Sequence, residues 1–535
     1  MRHRPPRQRG RPIARRAAAI AAGLVVGGLL ASPAGANRSL FVGVDDNAFL
    51  ASPDVNLPVA KDLGVKAVRV TLDHWYPGDR TINTVLTNQL TNLVTAAPGL
   101  RVVVSVYAPS PVLAPVTAAY RDNYCNYLGS ILKNVPAIND FVIWNEPNLS
   151  YFWKPQFNPN GSSAAPAAYE ALLARCYDVL HAIRPGVNVI APATCPRGND
   201  IPWAPENVSH SPGQFILGMG GAYRASGRSQ PLFDTVGHHV YGTYAAERPW
   251  RVHSNSTAIS EGDWRALVDS LSQAFGGTAQ QTPGCSGGSC MAIWYLEAGY
   301  QTTIDRAKAK YYWGAETFDH LVPAAGGPPD PPDPAETSWA PDQATQLRDG
   351  IRLAYCQPYV EAFFNFLLRD DANLAGWQSG VLWVDGTPKP SYPAFKQAIG
   401  DVGSGKIDCG GLKGNQVPAG ATAHPGGGGQ SPSSASARRR LRLVLSVRPR
   451  VRAGEVLHVW LRFNRVVKNE RVRLLQRSRK QFVVMMRRRV SGFAPALKLR
   501  RLTPGRYTIR VAYQDGSVYR YTQAKTFAVV PRRSP

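Results

Sequence analysis

Between residues 40 and 400, short apolar runs alternate with longer segments in which apolar positions recur every three to four residues. The first pattern marks strands buried on both faces and the second marks amphipathic helices. Eight such strands can be read, near Leu40–Val44, Ala67–Leu72, Arg101–Tyr107, Asp140–Trp144, Val187–Ala191, Thr235–Tyr241, Ala292–Leu296 and Tyr359–Leu367. A buried strand followed each time by a helix predicts a parallel sheet with helical crossovers, and eight repeats suit a closed (β/α)8 barrel of the α/β class. The Pro-rich stretch Gly326–Pro334 falls in a long loop after the seventh strand. Loops in that position lie on the face of a barrel that carries its active site.

The pattern changes after residue 409. Residues 410–437 are rich in Gly, Ser, Pro and Ala, including Gly426–Gly429, and read as a flexible linker. Residues 438–535 then show short alternating runs, Arg440–Val447, Val456–Phe463 and Tyr507–Tyr513, which fit a small all-β sandwich. These runs resemble an immunoglobulin-like or fibronectin-like accessory module. At the other end, residues 1–36 hold seven Arg and no acid, an apolar run from Ala17 to Leu30, and then Ala34-Gly35-Ala36. That is the form of a signal peptide, so the barrel is expected over residues 37–409 of a secreted, extracellular or cell-surface protein. No other stretch is long and apolar enough to span a bilayer, and a monomer is expected.

Charge is divided unevenly. Of the formal +25, residues 438–535 contribute +24, from 27 Lys and Arg against three acids, whereas residues 37–437 carry 27 bases and 33 acids. The barrel therefore has no need of a polyanionic substrate, and the basic module would be drawn to anionic cell-wall polymers or lipid head groups. Nucleic acid is not expected as a partner of an exported chain. Seven cysteines in such a chain can form disulfides. Cys125 and Cys176 lie on the apolar faces of predicted neighbouring helices, Cys285 and Cys290 bracket a loop, Cys356 and Cys409 could tie off the end of the barrel, and Cys195 is left over. No zinc-type spacing of Cys and His appears, so neither a metal site nor a cofactor is expected.

The chemistry lies in two glutamates that each end an apolar strand. One is Glu146, in Phe141-Val142-Ile143-Trp144-Asn145-Glu146-Pro147-Asn148; the other is Glu297, in Ile293-Trp294-Tyr295-Leu296-Glu297-Ala298-Gly299-Tyr300. The C-terminal ends of barrel strands are where such folds do their catalysis. Two carboxylates suit glycosidic cleavage, because one must protonate the leaving oxygen while the other, ionised, attacks the anomeric carbon.

Those two motifs resemble the clan A retaining glycoside hydrolases, families 5 and 39 in particular. The resemblance implies Glu146 as acid/base and Glu297 as nucleophile. It also implies Asn145 on the sugar 2-hydroxyl, Arg69 on the nucleophile, and His239 and Tyr241 of a His-x-Tyr pattern beside it. Gly237, His239 and Tyr241 share a face by strand alternation, whereas His238 points the other way and reads as structural. Trp75, Tyr107, Tyr300 and Trp377 fall at strand ends or loops of the catalytic face, and one or two of them are expected to touch sugar. The chain departs from the family at strand eight, where many members carry a Trp and this one reads Ala362-Phe363-Phe364-Asn365-Phe366-Leu367; Trp377 or Trp383 is the substitute. The resemblance implies a secreted β-glycoside hydrolase acting on polysaccharide or oligosaccharide. A wall-remodelling transglycosylase and a non-catalytic carbohydrate-binding barrel are the alternatives.

Overall fold

The computed structural model describes residues 39–409, except 255, 285–289, 319–320 and 327–340, together with most of residues 443–531. The expected leader (1–36), the linker (410–437), Cys285 and most of the Pro-rich stretch lie outside the described residues.

Eight parallel strands close into a barrel in sequence order: β1 (Phe41–Asp45), β2 (Ala67–Leu72), β3 (Arg101–Val106), β4 (Asp140–Ile143), β5 (Asn188–Thr194), β6 (Thr235–His239), β7 (Ile293–Ala298) and β8 (Val360–Phe366). Closure is made by β1 against β8, from Phe41↔Ala362 to Asp45↔Phe366. A single-turn helix α1 (Ala48–Ala51) precedes α2 (Pro53–Leu63); α3 (Thr84–Ala96), α4 (Ala118–Asn134), α5 (Ala165–Ile183), α6 (Pro212–Ser226), α7 (Trp264–Phe275), α8 (Gln343–Cys356) and α9 (Tyr392–Ser404) complete the outer ring.

Alternation divides the apolar residues into two cores. Positions such as Val68, Val70, Val104 and Phe141 face the helices, whereas Ala67, Val103, Val142, Ile190, Trp294, Leu296 and Phe364 fill the barrel itself. The interior is crowded enough to dictate glycine. A Cβ on Gly43 would lie 2.4 Å from the Phe364 ring and 2.9 Å from the Ala67 carbonyl oxygen.

Disulfides Cys125–Cys176 and Cys356–Cys409 form as the residue pattern suggested, linking α4 to α5 and closing the end of the domain, and Cys195 is free and buried. Each bridge closes a loop of 51 or 53 residues. In the chain-entropy account that contributes about 4 kcal/mol apiece. Among the described residues no helix is long and apolar enough to cross a membrane.

The C-terminal region is a separate two-sheet structure. One sheet has β10 (Arg450–Arg452), β17 (Lys525–Val530), β15 (Gly505–Asp515), β12 (Val467–Ser478) and β13 (Gln481–Gly492) in that order, with β16 (Val518–Tyr521) also on β15. The other has β14 (Ala496–Leu499), β11 (Leu457–Phe463) and β9 (Leu443–Val447). Val459, Leu461 and Leu497 of the smaller sheet share one core with Leu474, Ile509 and Val511 of the larger, the interdigitation expected of a β-sandwich.

Gly43→Ala is expected to destabilise the barrel by about 1–3 kcal/mol, because the new methyl meets backbone as well as a packed ring. Urea unfolding of the full chain, followed by near-ultraviolet dichroism of the barrel tryptophans, measures this. An unchanged midpoint would mean that Phe364 swings aside without cost.

Candidate active site

All the strand C-termini but that of β2 differ from the sequence reading by one to three residues, and those of β4 and β6 bear on the site. Strand β4 stops at Ile143, not Trp144, and the chain beyond it turns through left-handed backbone at Trp144 (φ 68°) and Glu146 (φ 37°), answered on β5 by Ala193 (φ 50°). Non-glycine residues are rarely held in this region unless their surroundings over-determine them. Here the surroundings do. The Tyr124 hydroxyl accepts from the Trp144 N–H (3.0 Å) and donates to the Val106 carbonyl (2.7 Å), and the Tyr169 hydroxyl donates to the Ile143 carbonyl (2.6 Å). The Glu146 N–H donates to the Ala193 carbonyl at 3.1 Å. Two tyrosines from α4 and α5 thus satisfy polar groups that a regular ladder would have paired.

Strand β6 likewise ends at His239, and Tyr241 lies in the loop beyond it. The register of β6 against β7 shifts at this point, so that His239 pairs with Glu297, and β7 shifts again on β8 between Tyr295 and Ala298. Leu296 and Glu297, neighbours in sequence, can therefore occupy the barrel core and the floor of the cleft respectively.

Arg69 stands at the centre, fully buried inside the barrel. Its Nη1 donates to Glu297 Oε1 at 2.7 Å and also to Asp45. Its Nη2 donates to Ser105 Oγ and to Asn145 Oδ1, both at 3.2 Å. Because Arg69 can only donate, Asn145 must turn its oxygen inward, which leaves its amide N–H groups for the cleft. The Tyr241 hydroxyl donates to Glu297 Oε2 at 3.0 Å. His239 Nδ1 lies 2.9 Å from Glu146 Oε1 and 3.3 Å from Glu297 Oε2, between the two carboxylates.

The electrostatics of Glu297 follow. Burial pushes its carboxyl upward, but His239, Arg69 and the Tyr241 hydroxyl together outweigh burial and hold it below the ordinary range, so it is ionised. Asp45 is driven the other way, well above the usual carboxylate range, by burial and by the Glu297 charge, against the pull of Arg69. Burial and the same carboxylates keep the Tyr241 hydroxyl protonated and hence a donor.

The residues predicted from sequence divide cleanly. Glu146, Glu297, Asn145, Arg69, His239 and Tyr241 are brought together. Tyr107 and Trp377 line the cleft above them, a cavity of about 690 Å³. Trp377 packs 4.9 Å from the Tyr241 ring and 5.4 Å from Phe366, so it and not Trp383 occupies the strand-eight side of the site. Trp383 is buried under Lys389 Nζ. Of the four aromatics placed at the catalytic face, Trp75 and Tyr300 do not line the cleft. Trp75 is wholly buried against Tyr124 and Trp144 with its indole N–H on the Asp79 carbonyl, and Tyr300 is buried among α8 and Glu261. His238 is structural as read, joining Thr194 Oγ1 (2.9 Å) to the Ile259 carbonyl (2.7 Å), and burial lowers its pKa to about 4.

Sequence reading missed Asp45, although Phe41–Asp45 carries the same signal as the two glutamates, an apolar strand ending in an acid. It also missed Tyr151 and Phe152, in the loop after Glu146. With Tyr107 they line a second lobe of about 730 Å³ that shares Asp73, Tyr107, Tyr151, Phe152 and Asn207 with the first. Tyr151 is 76% exposed, with its ring 4.9 Å from that of Phe152.

Glu146, His239 and Glu297 offer donor atoms that all lie within 4.8 Å of one another, a spacing a metal ion could also use. A cation there would have to compete with the guanidinium already 2.7 Å from Glu297. The arrangement is suited instead to chemistry in which one carboxylate stays charged and its neighbour exchanges a proton.

No model of a known protein family matches the sequence, and no curated protein is similar to it. Among solved structures the chain is similar to an engineered protein at 12% identity and TM-score 0.35, over 92% of this chain and 93% of that one. It is similar to a Ruminococcus gnavus beta-glucuronidase, solved in complex with uronic isofagomine, at 10% identity and TM-score 0.37, over 68% of this chain and 51% of that one, so that it spans about half that enzyme's length. A chitinase from Bacteroides thetaiotaomicron is similar at 10% identity and TM-score 0.28, over 45% of this chain and 63% of that one. At these values the reading of the site rests on its own geometry.

Proposed function

We propose that the barrel is a retaining glycoside hydrolase, resembling families 5 and 39 of clan A, that cleaves β-linked polysaccharide or oligosaccharide outside the cell. The observation that carries this reading is the pair of carboxylates: an oxygen of Glu146 and one of Glu297 lie within 4.8 Å. Retaining enzymes need a separation of about 5–5.5 Å between carboxyl groups, whereas inverting ones leave roughly 6.5–9.5 Å for a water.

The two steps follow from the contacts. Glu297, kept anionic by Arg69 and Tyr241, attacks the anomeric carbon and forms a glycosyl ester, while Glu146 gives its proton to the departing oxygen. A water then loses a proton to Glu146, attacks the same carbon, and releases Glu297 as carboxylate. Asn145, its amide N–H groups free, holds a sugar hydroxyl above the nucleophile. Two disulfides and the leader-like first 36 residues support export. The second lobe favours one further reading, transfer of the glycosyl group to a sugar acceptor bound there in place of water. Products dominated by longer oligosaccharides on adding acceptor would support that reading.

Glu297→Gln is expected to abolish turnover of β-linked substrates, and Glu146→Gln to lower kcat by about 10²–10⁴ with an unactivated leaving group. Assays on a panel of polysaccharides and aryl glycosides test this; full activity in either variant overturns the assignment.

Glu297 acts as an anion, and its folded-state pKa lies below the ordinary value of 4.5. Activity should therefore persist as pH falls into the ordinary glutamate range and fail only as Glu297 itself protonates. Tyr241→Phe removes a donor to the charged form and should move that acidic limb of kcat/KM upward while leaving the alkaline limb in place.

Tyr151→Ala should raise KM for an oligosaccharide by about tenfold, in line with the loss of one stacking contact. KM for an aryl monoglycoside, too short to reach Tyr151, should not move. Equal effects on both substrates would mean that the second lobe holds no sugar.

A further inference from the structure

Exposed aromatic rings are unevenly placed on the barrel. Among its described residues they are Tyr76, Tyr120, Tyr151, Tyr311 and Trp313. Tyr76, Tyr151, Tyr311 and Trp313 lie in the connections that leave β2, β4 and β7, and Tyr120 lies in the first turn of α4, after β3. All five stand at the end of the barrel where the strands finish and the two glutamates sit. Among the described residues, none is in a connection running from a helix back to a strand. A single exposed apolar side chain needs no explanation, but random scatter would not confine the rings to one end.

Trp313, the largest of the five, is 63% exposed. Its backbone is fixed to the loop after β8: its N–H donates to the Ala372 carbonyl (2.9 Å), and its carbonyl accepts from the Leu374 N–H (2.8 Å). Tyr312 beside it is anchored, its hydroxyl donating to Asp370 Oδ2 at 2.7 Å. The same β8 loop supplies Asp371 and Trp377 to the cleft wall. Further along the segment that carries Trp313, Phe318 packs on Trp377 with ring centres 5.2 Å apart. Trp313 thus extends the rim on which Trp377 stands. Tyr151, 76% exposed, stands on the loop after β4. Because the strands close in sequence order, β4 and β8 face each other across the barrel, which sets Tyr151 and Trp313 on opposite rims of the mouth that holds Glu146 and Glu297.

We propose that Trp313 is the outer sugar platform of the rim opposite Tyr151, so that a β-linked glycan chain is held on both sides of the scissile bond and cut at an internal linkage. This deepens the hydrolase reading of the two glutamates and rests on it. The C–H faces of a pyranose ring are apolar and meet the electron-rich face of an indole favourably. A platform set apart from the carboxylates touches only sugars away from the reacting bond. It therefore adds to the binding of a long chain and nothing to that of a short one. An enzyme that trims units from a chain end needs such contacts on one side only.

The test follows the full-length chain on β-1,4-linked gluco-, xylo- and manno-oligosaccharides and β-1,3-gluco-oligosaccharides of different lengths, beside their parent polysaccharides and aryl monoglycosides. On the series that is cleaved, kcat/KM should rise with chain length, and the polysaccharide should lose viscosity while few reducing ends have appeared. Trp313→Ala should lower kcat/KM on the longest oligosaccharide by about tenfold, the scale of one stacking contact, and the loss should shrink with each shorter substrate. Trp313→Phe, which keeps a ring, should lose less. A single small product released from chain ends, or parent-like rates in Trp313→Ala on the longest substrate, overturns the proposal and leaves the hydrolase reading standing. Equal losses on short and long substrates overturn it as well, since they show a structural role. If the parent cleaves nothing in the panel, the hydrolase reading fails instead, and retardation in gels containing each polysaccharide decides the platform. No retardation of the parent, or retardation undiminished by Trp313→Ala, then overturns it.

Discussion

A guanidinium sealed inside a barrel has to be answered by negative charge, and Arg69 is answered twice. Asp45 from β1 and Glu297 from β7 both bind it, with Ser105 and Asn145 occupying its second nitrogen. Leaving such a charge unpaired after removal of one partner costs about 3–5 kcal/mol, so β1, β2, β3 and β7 are tied to one another through this side chain as well as through their ladders. The same contacts set the chemistry. One positive charge between two buried carboxylates cannot keep both fully ionised in comfort, and the two are driven apart, Asp45 upward and Glu297 downward. Both acids line the cleft, and Glu297 is the one held below the ordinary carboxylate range.

Glu146 depends on a different device. Its position requires left-handed backbone on both sides of the β4–β5 seam, at a cost of order 1–3 kcal/mol per residue. Tyr124 and Tyr169 sit behind that seam and absorb the polar groups it frees. Trp75, Trp144 and Trp153 pack edge to face around them, so the strained turn rests on a rigid aromatic layer. The placement of Glu146 therefore draws on core volume, and Trp75 lies behind the cleft while Tyr107 and Trp377 line it.

The two parts of the chain face separate electrostatic problems. Residues 37–437 carry 27 bases and 33 acids, a slightly negative surplus. The C-terminal segment, residues 438–535, instead carries 27 Lys and Arg against three acids.

The sequence by itself determined the order of elements, the barrel class, the two disulfides on predicted helix faces and at the domain end, and the paired strand-terminal glutamates. Each of these is written in local periodicity, in the alternation of strand and helix, or in an acid that closes an apolar run, because burial imposes those patterns on any chain that folds this way. Tertiary structure alone decided the rest. Whether an aromatic at a strand end faces sugar or core depends on loops from other units: Trp377 is turned over Tyr241 by the loop after β8, while Trp75 is enclosed by Tyr124 and Trp144. The register shift that sets Glu297 beside His239, the left-handed turn that carries Glu146, and the sharing of Arg69 between Asp45 and Glu297 join residues more than 20 positions apart. No pattern within one segment records them, since their energy arises only when the barrel closes.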